Sequence, residues 1–205
     1  MRHKTLSLLG RPVTLSHGFN MTHDAALPQQ TYDATRALAV LDDCRTALVE
    51  LQQNPKGALW RLRWCAALTL LRAVGHVLEK DGAGSSASPE FKKAAEDWWQ
   101  KLKASKPKPP IFWEFIKEDR DALLKEYRFR AEQGVIRLSG AIGGAPLGTM
   151  PMGTAYRDVP SYRMKGGPFG GMVQRAVVQK AIDWWAEQLD EINTRAHTER
   201  VAKLL

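Results

Sequence analysis

The sequence predicts an all-α protein: a four- to five-helix bundle, largely antiparallel, with a Gly-rich loop inserted before the last helix. Three observations lead there. Apolar residues recur at three- and four-residue spacing over long segments. Helix ends are marked by capping residues, proline and glycine. The links between the first four helices are short, which favours antiparallel neighbours.

Residues 1–30 lack helical periodicity, contain Pro12 and Pro28, and are expected to form an extended N-terminal arm. Residues 31–205 are expected to form one helical domain. Its first helix is predicted over Tyr32–Gln53, where Leu38, Leu41, Cys44, Leu48 and Leu51 make one stripe and Asn54-Pro55 stops it. The second is predicted over Lys56–Lys80, with Trp60, Trp64, Leu68, Leu71, Val74 and Leu78 inward, closed by a Gly- and Ser-rich loop from Asp81 to Ser86. Ser88-Pro89-Glu90 combines a capping serine, proline at the first helical position and an acid in the first turn, and starts a third helix to about Lys103. Lys106-Pro107-Lys108-Pro109-Pro110 cannot continue a helix and is expected to be an extended connector.

A fourth helix is predicted over Ile111–Glu132. From Gly134 to Gly171 there are ten glycines and four prolines with little apolar periodicity, hence the loop excursion at 134–171, with a short strand or turn at Val135–Leu138. The last helix is predicted over Met172–Ala196, with Val177, Ala181, Ile182, Trp185, Leu189 and Ile192 on one face. Two Trp pairs, Trp98-Trp99 and Trp184-Trp185, sit in similar helical contexts. Each is expected to turn one indole inward and leave one at the rim.

The 205 residues are 44% hydrophobic and 25% charged, ordinary values for a globular protein, but the net charge is +8. That excess favours an anionic partner such as nucleic acid, an acidic protein or a membrane surface. Cys44 and Cys65 lie in apolar helical contexts and predict buried thiols. Neither they nor His17, His23 and Asp24 have metal-ligand spacing, so no metal and no cofactor is expected. The apolar run Leu6–Leu9 is too short for a secretory signal, and no segment reaches about 18 apolar residues. A cytoplasmic protein with no membrane association is expected.

The run Arg120-Asp121-Ala122-Leu123-Leu124-Lys125-Glu126-Tyr127 carries the most chemistry. It resembles the motif of the HEPN superfamily, in which an arginine, usually followed by a polar Asn or Asp, is separated by four to six residues from a histidine, often with a tyrosine two positions later. Arg120 and Asp121 match the first pair and Tyr127 the tyrosine, but Lys125 stands at the histidine position. The resemblance covers about eight residues. It implies a helical bundle, often dimeric, and in many members an RNase of a toxin or antiphage system, with Arg120, Lys125 and Tyr127 as its site. Histidine moves protons near neutral pH unaided. Lysine is a phosphate contact and a poor base, so the substitution turns the expectation from cleavage to binding.

His76 lies one turn after Arg72 on the second predicted helix, on the same face, and is the candidate to replace the missing histidine. Arg120, Lys125, Arg128, Arg163 and Lys165 are the candidate nucleic-acid contacts. The last two belong to a stretch where Tyr156 and Tyr162 interleave with cations. The leading expectation is a HEPN-like module that binds RNA or a protein partner, in a bacterial accessory or defence setting, as a homodimer. One alternative is a metal-independent RNase using Arg120 with His76 or Lys125. Another is a structural, self-associating helical protein in which residues 118–128 are only the solvated face of a helix, stabilised by the Asp121–Lys125 pair.

Overall fold

Among the described residues the apolar stripes are satisfied by packing five α-helices against one another. A computed structural model describes residues 33–139 and 156–205, all within the compact unit Thr31–Leu205. The arm expected at 1–30, with His17 and His23, lies outside the described residues. The elements are α1 (Thr35–Gln52), α2 (Gly57–Ala83), α3 (Pro89–Ala104), a π-helical segment (Ile111–Asp119), α4 (Arg120–Glu126), strands β1 (Ala131–Ser139) and β2 (Tyr156–Met164), and α5 (Gln174–Ala202). Among the described residues no helix is long and apolar enough to cross a membrane.

Ion pairs fix the helix directions. Arg36 at the start of α1 meets Asp81 at the end of α2, and Glu50 at the end of α1 meets Arg63 near the start of α2, so the two run antiparallel. Asp33 ahead of α1 meets Arg200 near the end of α5, while Asn54 beyond α1 accepts from Arg175 at the start of α5. Four successive pairs join α3 to α5 in opposite directions: Glu90–Lys203, Lys93–Glu199, Asp97–Arg195 and Lys101–Glu191. Two of the lysines in the basic run 92–108 are thereby engaged by acids of α5.

The core runs through the whole bundle, with Trp64, Trp185, Phe91, Phe112 and Phe115 the largest side chains fully enclosed. Cys44 is among the buried residues, and burial, followed by the charge of Asp43, pushes its thiol up to about 12. The two Trp pairs divide as expected. Trp98 and Trp185 turn inward and donate to Gln188 Oε1 (2.9 Å) and the Leu71 carbonyl (2.8 Å), while Trp99 and Trp184 are only partly buried.

Ser88 caps α3 by accepting from the Phe91 amide at 3.2 Å. Asp81 departs from expectation: α2 continues through it, and its buried carboxylate accepts from Arg36 Nε (2.6 Å) and from the Ala37 amide (3.0 Å) in the first turn of α1. The end of one helix thus caps the start of another. Asp81→Ala is expected to cost about 1–3 kcal/mol, through a lost cap and a buried amide left without its acceptor, read by urea unfolding. A loss below about 0.5 kcal/mol would show that the contact contributes little.

The fourth predicted helix is corrected at both ends. Ile111, Phe112, Trp113, Phe115 and Ile116 are all buried, an apolar arc wider than one α-helical stripe supplies, and this stretch is π-helical. The helix stops at Glu126 instead of Glu132, because Tyr127 adopts the left-handed conformation at φ 49°. The chain then enters an antiparallel ribbon in which Ala131 pairs with Met164 and Ser139 with Tyr156. Much of the expected loop 134–171 is therefore strand, and residues 140–155 lie outside the described residues. The base of the ribbon is latched to α2 by Tyr162, stacked on Trp60 at 3.8 Å, with Phe129 alongside.

Candidate anion-binding site

Arg120 opens α4 at the point where the π-helical segment ends. Its side chain is 29% exposed and its Nη1 donates to Asp121 Oδ1 at 2.8 Å. Its Nε is buried with no hydrogen-bond partner among the described residues. With the Nε enclosed, an oxyanion can reach this guanidinium only through its terminal nitrogens, of which Nη1 is shared with Asp121.

Asp121 accepts from Lys125 Nζ at 3.2 Å and faces Lys117 Nζ at 3.5 Å as well as Arg120. Burial opposes its charge, but the hydrogen bonds from Arg120 and Lys125 and the charge of Lys117 outweigh it and hold the carboxyl at about 2. Asp121 is an ionised strut shared by three cations, one of which, Lys117, also pairs with Glu118 at 2.6 Å.

Across from α4, the second helix contributes Arg72 and His76. The Arg72 guanidinium sits over the Phe112 ring, 5.6 Å from its centroid. Burial, and then repulsion from Arg120, lowers its affinity for its proton, with Asp121 and Glu79 acting the other way. His76 is also lowered below its ordinary value, by partial desolvation and then by the charges of Arg72 and Arg120. The imidazole is therefore mainly neutral at pH 7. The fold thus brings His76 and Arg120 into one electrostatic cluster, with Arg72 as its third member.

The other sequence candidates sit differently. Lys125 is 69% exposed and engaged by Asp121, and the expected Asp121–Lys125 pair is present. Tyr127 turns out of the helix in its left-handed conformation, 67% exposed, with its ring against Phe129. Arg128 pairs with Glu126 at 3.0 Å. Arg163 donates to the Gly171 carbonyl at 2.6 Å, and Lys165 faces Glu132 at 3.9 Å. The Gly-rich lead into α5 spends its amides internally: those of Lys165, Gly170, Gly171 and Met172 donate to the carbonyls of Arg130, Gly167, Met164 and Phe169.

Asp119 corrects the expectation of a solvated face. Its side chain is 4% exposed and pairs with Arg130 at 2.8 Å, tying the π-helical segment to the chain entering the ribbon. Burial raises its carboxyl to about 7 against the pull of Arg130, with Glu114 and Glu118 adding to the rise, and its Oδ2 has no partner among the described residues. No signal in the sequence separates Asp119 from the exposed acids around it.

Arg72 and His76 also line a groove of about 540 Å³ between α2 and α3, together with Glu79, Lys92, Trp99 and Lys103. Periodicity places Arg72 beside His76 but does not reveal the groove. Comparison of the chain with protein families, curated proteins and solved structures finds no match.

Proposed function

We propose that this chain is a HEPN-like helical module that binds RNA in the cytoplasm, contacting phosphate through Arg120 and Arg72. The observation that supports the reading is a pair of partly exposed guanidiniums, Arg72 and Arg120, whose charges both act on His76 and on each other. The net charge of +8 adds a long-range attraction for polyanions. Lys125 shares Asp121 with Arg120, so the carboxylate offsets only part of the charge of either cation.

The test is a mobility-shift and cleavage assay of the purified chain with labelled RNAs at low and moderate salt. Arg120→Ala is expected to weaken binding about tenfold or more and to reduce the salt slope by about one unit. Binding unchanged by this substitution would sink the assignment. A second reading, a metal-independent RNase, is favoured by one observation: His76 is a mainly neutral imidazole beside two guanidiniums, a base next to phosphate holders. It requires cleavage that His76→Ala abolishes while binding persists.

A further inference from the structure

The groove between α2 and α3 combines features that phosphate binding alone does not use. Its volume of about 540 Å³ falls within the range of small-ligand sites, about 300–1,000 Å³. One wall carries the Arg72 guanidinium and the neutral His76 imidazole from α2, and the other is aromatic, with Trp98 and Trp99 from α3. The Trp99 ring is held edge-on by Phe112 (6.0 Å, 78°) and alongside Trp98 (6.1 Å), so its orientation is set by neighbours. Over it lies the ammonium of Lys103, 5.5 Å from the ring centroid, on an exposed and flexible side chain. Glu79 and Glu96 also line the groove and offer acceptors to amino groups.

We infer that this groove is a nucleobase pocket: it takes one unpaired base of an RNA strand, stacked on Trp99, with the adjoining phosphate on Arg72 and Lys103. The inference rests on the RNA-binding function proposed above and narrows it to single strands. A base entering the groove takes the place of the Lys103 ammonium over the indole, and the displaced cation meets the phosphate. A base inside a duplex has both faces stacked and cannot enter without unpairing.

The test is fluorescence anisotropy of the full chain with one short labelled RNA, alone and annealed to its complement, at moderate salt. The single strand is expected to bind about tenfold tighter than the duplex, and Trp99→Leu to remove most of that preference. Trp99→Phe, which keeps an aromatic face, is expected to restore it. Circular dichroism reports whether each variant is folded. Should Trp99→Leu fail to fold, the single-strand preference of the unaltered chain and its reduction in the surface variant Lys103→Glu decide the matter. Equal binding of both RNA forms, or an undiminished preference in folded Trp99→Leu, overturns the pocket and leaves RNA binding standing. If neither form binds the unaltered chain, the RNA reading and the pocket fall together.

Discussion

Replacing Gly75 by valine is expected to destabilise the protein by about 2 kcal/mol or more, the cost of overpacking the close contact between α2 and Trp185. A Cβ at this position would lie 3.0 Å from Cη2 and 3.2 Å from Cζ2 of Trp185, and 3.3 Å from Arg72 Nη1. Trp185 cannot withdraw easily, because it is fully buried and its indole N–H is committed to the Leu71 carbonyl at 2.8 Å. Two branches of valine therefore force α2 and α5 apart or break that hydrogen bond. Alanine is the informative control, since its single methyl meets the same ring but recovers about 1 kcal/mol of helix propensity relative to glycine. Urea unfolding followed by tryptophan fluorescence measures both. Valine within about 0.5 kcal/mol of the unaltered chain would show that the helix pair is looser than the 3.0 Å approach implies.

The second large effect is on the pH dependence of stability, through Asp119. Its carboxyl titrates near 7 in the fold, well above the ordinary value of 3.8. Between those values the folded state binds the proton that the unfolded state has released, so stability falls as pH rises from about 4 to about 7. The full difference is on the order of 4 kcal/mol and is lost above pH 7, where the ionised carboxylate sits in a site that solvates it poorly. Asp119→Asn removes this titration. It is expected to flatten the stability profile between pH 5 and 8 and to narrow the gap between those two conditions by about 1–3 kcal/mol. The amide still accepts from Arg130, so the tie to the ribbon survives. Urea unfolding at both pH values checks this, and an undiminished pH dependence in the variant would place the responsible group elsewhere.

Most helices were legible because they have one apolar face and marked ends. Ser88-Pro89-Glu90 announces α3, and Asn54-Pro55 stops α1 close to its last turn. What stayed hidden depends on contacts between distant residues. Tyr127 ends α4 with no glycine or proline to signal it, since the left-handed conformation there suits the turn toward the ribbon. The ribbon itself carries Gly134 and Pro160, both poor strand residues, and reads as loop until its two halves are paired. At the site, pairing Arg120 with His76 required supposing that their helices pack, and what the structure adds is that the Arg120 charge reaches His76. The groove depends on how α3 lies against α2, and no local pattern encodes that.

The alternating signs along α3 and α5 give those two helices an alignment code. Exposed ion pairs add little stability one by one, typically under about 1 kcal/mol each. Their order matters more than their strength. Slid by one rung in either direction, Lys93 would face Lys203 or Arg195, and Asp97 would face Glu199 or Glu191, so each displaced arrangement sets like charges together. One longitudinal position is left without such conflict. Since α3 carries Trp98 and Trp99, these four pairs set the height at which the aromatic wall stands opposite Arg72 and His76.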